Sequence, residues 1–209
     1  MIKEDKNRQL EELKTYVDQY QGTPADLNVY IHDVSPSGSF LSCEAEEIII
    51  EDPSFLLELY QKCGYIQIAL LEGSGVCLNC EILRPSFEEK TIEIDEDTIR
   101  AEVVFDEMLS EIEKRRDLMW IVDNNKRKAF NSWLADADLF IEAADGYQIS
   151  FEVDEETQRI SLVLESEIYE IDTINSPLIK VVSGVQRLSI KQSKHGRVQF
   201  TFEKEGIWV

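Results

Sequence analysis

From residue 147 to residue 202 the chain is a succession of short segments in which apolar and polar residues take turns: YQISFEV, RISLVL, EIYEI, LIKVV, VQRLSI and RVQFTF. A period of two sends successive side chains to opposite faces of a strand, so each segment has one face to bury and one to show to solvent. The separators are short, DEETQ and SKHG among them. Short turns join antiparallel neighbours, whereas parallel ones need a long crossover. The expectation is an antiparallel meander of six strands.

The N-terminal half mixes periods. Residues 3–20 place Leu10, Leu13, Val17 and Tyr20 three and four apart, with charged residues between them, which predicts an amphipathic helix. LNVYIHD alternates and predicts a strand, and a second strand is expected over roughly Phe40–Ile50. The next helix carries the fullest set of signals. Asp52 suits its N-cap, Pro53 its first position and Gly64 its C′ position, with Phe55, Leu56, Leu59 and Tyr60 as the buried stripe. YIQIALL and VCLNCEIL around EGSG then predict a β-hairpin. Met108, Leu109, Ile112 and Met119 mark one central helix. Phe130, Trp133, Leu134, Ala137 and Phe140 mark a second, which Asp123 can cap.

These elements predict an α+β fold of antiparallel sheets with packed helices, arranged as two lobes joined by a central helical pair. The expected division is an N-terminal α+β lobe over 1–104, then the helical pair and C-terminal meander over 105–209. The chain's 209 residues suffice for one large domain or two small ones, and 43% hydrophobic content is that of a folded protein. No apolar run is long enough to span a bilayer, and the charged start MIKEDKNRQLEELKTYV lacks a secretory h-region. A cytoplasmic location is expected, with its cysteines as thiols rather than disulfides.

Charge narrows the partners. With 42 acidic and 21 basic residues the net charge is −21. Nucleic acid and anionic membranes are repelled by such a surface, while a basic protein is attracted and steered to it. The balance is uneven along the chain. From residue 173 on there are six basic and two acidic residues, and before it 15 basic and 40 acidic. Residues 86–113 hold eleven acidic side chains and residues 136–172 hold twelve. From these blocks we read an acidic partner-binding face made of Glu93, Asp95, Asp97, Glu102, Asp154, Glu155, Glu156, Glu165 and Glu167. An opposing positive patch is read from Arg115, Arg116, Lys126, Arg127, Lys128, Arg187, Lys191 and Arg197.

Catalytic signatures are sparse. The C-x-x-C pair Cys77/Cys80 follows a glycine turn, but strand alternation predicts its two sulfurs on opposite faces, and Cys43 and Cys63 lie twenty positions apart. All four are read as buried thiols, with no metal or other cofactor expected. The two histidines, His32 and His195, are too few to complete a metal site and read as structural or solvent-facing. No P-loop, G-x-G-x-x-G or G-x-S-x-G occurs. The terminal GIWV reads as packed on the core.

The expected function is that of a non-enzymatic acidic binding protein that occupies a basic surface of a partner protein. Nuclease inhibitors, immunity proteins and counter-defence proteins share this physical logic. The alternatives are an assembly module that forms homo-oligomers through oppositely charged lobes, and an enzyme using a metal held by Glu93, Asp95 and Asp97.

Overall fold

The computed structural model describes residues 2–34, 38–83, 124–143, 146–154 and 159–205. In chain order the elements are α1 (Ile2–Gln19), β1 (Asn28–Val34), β2 (Gly38–Ala45), β3 (Glu47–Ile50), α2 (Ser54–Cys63), β4 (Gly64–Leu70) and β5 (Val76–Ile82). Then follow α3 (Asn124–Ala143), β6 (Gly146–Asp154), β7 (Arg159–Ser166), β8 (Tyr169–Ile171), α4 (Pro177–Ser183), β9 (Arg187–Gln192) and β10 (Val198–Glu205). The fold is α+β, with two antiparallel five-stranded sheets ordered β1-β2-β5-β4-β8 and β3-β9-β10-β7-β6.

Local chemistry accounts for the elements that the sequence signals best. Helix α2 begins at Ser54 with Pro53, and not the expected Asp52, at the N-cap position; Asp52 stands one residue earlier, and its Oδ1 accepts hydrogen bonds from the amide and hydroxyl of Ser54, at 3.0 and 2.7 Å. Gly64 ends that helix in the left-handed region at φ 88°, where a side chain would be strained. Gly75 closes the β4–β5 turn at φ 104°, and a Cβ there would stand 2.6 Å from the Ala45 carbonyl oxygen. The glycine turn of the expected hairpin is thus a requirement of close packing.

Three further expectations are corrected. The single strand foreseen over Phe40–Ile50 is two strands in different sheets. Leu41, Cys43 and Ala45 are buried up to exposed Glu46, after which the buried set becomes Ile48 and Ile50. That change of phase turns the chain from β2 into β3, which pairs with β9. LIKVV is not a strand but the helix α4. Leu178, Ile179, Val181 and Val182 are its buried side, a helical spacing, and Pro177 stands in its first turn. The meander is also replaced. Strand β10 lies between β7 and β9, and β8 leaves for the first sheet, where it pairs with β4.

The sequence halves are therefore interwoven: the first sheet takes β8 from the C-terminal half and lends β3 to the second. The expected boundary at 104/105 and the helix of Met108–Met119 lie outside the described residues, as does GIWV. On the first sheet, Leu41, Cys43, Ile66, Ile68, Leu78 and Cys80 are buried with Leu10, Leu13 and Val17 of α1 and Phe55, Leu56 and Leu59 of α2. The second sheet contributes Ile190, Phe200 and Phe202 to the same contiguous core. Phe140 of α3 joins the two, with its ring 5.1 Å from Tyr169 of β8 and 5.7 and 5.3 Å from Phe200 and Phe202. Among the described residues no helix is long and apolar enough to cross a membrane.

Candidate functional surfaces

Each sheet turns one face to the shared core, and the strands differ in the charges they carry on the other; on the first sheet that face is itself partly closed, with Ser42 2% and Cys77 4% exposed. On the first sheet, the strand register lines up Tyr30, Ser42, Asn79, Gln67 and Glu170 in one row across all five strands. Beside it run Asn28, Glu44, Cys77 and Ala69. His32 lies opposite Phe40, and Tyr65 lies opposite Glu81. No strand of this sheet contains a lysine or arginine. Among the described residues, α1 and α2 pack on the inner side of this sheet, where their buried residues meet Leu41, Leu78 and Ile66.

The side chains of this face are held by short local contacts. Ser42 Oγ donates to Glu44 Oε1 at 2.9 Å, and His32 Nε2 lies 3.6 Å from the same oxygen. The His32 and Phe40 rings stack at 4.9 Å with 21° between their planes, and Tyr30 tilts against His32 at 6.3 Å. Tyr30 is 48% exposed, a large ring left open on a sheet face. Tyr65 OH donates to Glu170 Oε1 at 2.7 Å. Burial, that hydrogen bond and the charges of Glu170 and Glu81 push the Tyr65 phenol well above its ordinary range.

The outer face of the second sheet is a charge mosaic. Glu203 of β10 receives Arg187 of β9 at 3.2 Å on one oxygen and Arg159 of β7 at 3.6 Å on the other. Lys191 lies 3.9 Å from Glu47 across the β3–β9 pair, and Ser189 Oγ also donates to Glu47. His195, in the β9–β10 turn, sets Nδ1 at 3.1 and 3.0 Å from the two oxygens of Glu165, which is 5% exposed. Cross-strand pairing of opposite charges is the ordinary way a solvated sheet face stabilises itself.

The described members of the expected sites lie in several places. Of the acidic set, Glu165 is buried under His195, Asp154 is exposed at the end of β6, and Glu167 is exposed beyond β7. Of the positive set, Arg187 and Lys191 are matched by Glu203 and Glu47, Arg197 sits in the β9–β10 turn, and Lys128 is exposed on α3. Lys126 and Arg127 belong to the first turn of α3. Glu93, Asp95, Asp97, Glu102, Glu155, Glu156, Arg115 and Arg116 lie outside the described residues. Tyr30, Glu44, Glu81 and Glu170 of the first sheet stand in neither expected set. Their signal was the absence of lysine and arginine from five separate segments, which becomes a surface only once strand pairing is known.

Thiols and phenols elsewhere are tied into local contacts. Cys77 faces outward and Cys80 inward, as alternation predicts, and all four cysteines are buried and none forms a disulfide. Hydrogen bonding to Cys43 and Cys63, with burial, holds the Cys80 thiol well above its ordinary range. Burial and the charge of Glu44 raise Cys77 as well, so neither is poised as a nucleophile. Between α1 and α2, Tyr16 OH donates to Glu58 Oε2 at 2.6 Å, and Tyr20 OH lies 2.6 Å from Ser54 Oγ. Among the described residues no group of three or more histidine, cysteine, aspartate or glutamate side chains is placed to hold a metal ion.

No protein-family model, curated protein or solved structure matches the chain. The functional reading therefore rests on the surfaces themselves.

Proposed function

We propose that the chain is a non-enzymatic acidic binding protein that occupies a basic surface of a partner protein, with the outer face of the first sheet as its docking surface. One observation carries the reading: the five adjacent strands contain no lysine or arginine, while three of them supply carboxylates to this face at Glu44, Glu81 and Glu170. Like charges on neighbouring strands repel one another in the free protein, and a basic partner relieves that repulsion on docking. Amide and aromatic side chains interleave with the acids, giving the hydrogen-bonding and contact groups a protein interface uses.

The logic is that of an inhibitor, immunity or counter-defence protein. It suits a cytoplasmic chain, in which its thiols stay reduced. The test is affinity capture from the native cell at low salt, followed by mass identification and binding kinetics on the recovered protein. A basic protein is expected, with an association rate that falls steeply as salt rises and falls again when Glu44, Glu81 and Glu170 become glutamine. Salt-insensitive association, or recovery of the chain only with itself, would contradict this reading and favour the self-assembling alternative.

A further inference from the structure

We infer that the corner formed by Tyr30, His32, Phe40 and Glu44 reads arginine in preference to lysine on that basic partner, an inference that rests on the docking reading above. A guanidinium is flat, weakly hydrated and forked, so it stacks on aromatic rings while pairing with a carboxylate through two N–H groups. An ammonium is a compact, strongly hydrated point charge and gains less from a ring. The corner supplies both parts of the arginine pattern side by side. The 48%-exposed Tyr30 ring offers an open face on edge strand β1, and the stacked His32–Phe40 pair adjoins it. The Glu44 carboxylate lies 3.6 Å from the His32 ring nitrogen and on the same face.

The occupant is an arginine-bearing segment of a different basic protein. The arginines in the described strands of the second sheet, Arg159 and Arg187, already share Glu203, so a second copy would offer them only by breaking its own pairs. Nucleic acid lacks the positive charge that the face selects. Along the same row, Asn79 and Gln67 stand next to the corner, where amide side chains can meet the donors and acceptors of an extended backbone.

The experiment is calorimetric titration with two blocked octapeptides, one of four Arg-Ser repeats and one of four Lys-Ser repeats, at low salt. The expected result is about 3- to 10-fold tighter binding of the arginine peptide, the range a partly exposed cation–ring contact gives. Tyr30→Ala should bring the ratio close to one, while Tyr30→Phe, which keeps the ring, preserves it. Unchanged thermal melting of both variants, expected for so exposed a ring, separates recognition from folding. Equal affinity for the two peptides in the unaltered protein, or a preference that survives Tyr30→Ala, overturns the arginine reading but leaves docking intact. Failure of both peptides to bind, or binding unaffected by Glu44→Gln with Glu81→Gln, overturns the docking surface and the inference with it.

Discussion

The two sheets are built alike, five antiparallel strands with one face in a shared core, yet they treat charge in opposite ways. The second sheet carries both signs and consumes them internally: Glu203 holds two arginines, Glu47 a lysine, and Glu165 a histidine. The first carries acids with no lysine or arginine in any strand. Counting charge along the chain pointed to the C-terminal strands as a positive region, and strand pairing sets two of its residues, Arg187 and Lys191, beside Glu203 and Glu47. The basic residues of β9 are laid between acids of β3 and β10. Net charge says that the chain is acidic on balance, and register says which acids share a face with no lysine or arginine in its strands.

The comparison can be broken at its shared element first. Phe140 contacts β8 of one sheet and β10 of the other. Phe140→Ala should cost about 3–5 kcal/mol, the usual loss for a fully buried phenylalanine. Urea unfolding followed by Tyr and Trp fluorescence should show both sheets losing stability together. A variant that melts one sheet early and leaves the other untouched would mean that the sheets stand independently.

A smaller effect is expected from the mosaic itself. Glu203→Gln leaves Arg159 and Arg187 without their shared carboxylate, and the partly exposed setting limits the loss to about 0.5–1 kcal/mol. Binding of a basic partner should be unchanged. Weakened binding equal to that of a first-sheet variant would erase the distinction between the faces.

The smallest effect concerns pH and the helix beneath the first sheet. The Ser54 hydroxyl, then the Ser54 amide, hold the Asp52 carboxyl below the ordinary carboxylate range. A carboxyl lowered by folding adds stability above its unfolded value, about 3.9, and loses it as the pH falls through the folded value. Asp52→Asn should flatten the acid limb of a melting-temperature profile slightly and leave the neutral plateau nearly in place. An unaltered acid limb would show that the Asp52–Ser54 contact does not report on folding.

Much of the fold was legible because its signals are local. Asp52, Pro53 and Gly64 bracket α2, and the alternation around Cys77 and Cys80 sends their sulfurs to opposite faces of β5. Where two periods met, the reading failed. The phase change at Glu46 separates β2 from β3, and the β-branched residues of α4 suggested a strand although their spacing is helical. The candidate surface was harder still. Acids close in sequence at 165, 167 and 170 end up buried under a histidine, exposed beyond a strand and on the other sheet. Such dispersal follows from long-range pairing, which no local window contains.

The central claim is that the location of the acids, and not the net charge alone, makes the docking face. It is tested most directly by two variants of equal charge. One changes Glu44, Glu81 and Glu170 of the first sheet to glutamine, and the other changes Glu47, Glu203 and Glu205 of the second. Affinity for the arginine octapeptide is measured against salt for each. The account predicts that the first variant loses about tenfold or more in affinity, along with most of the salt dependence, while the second stays within about twofold of the unaltered protein. Equal losses in the two variants would contradict it.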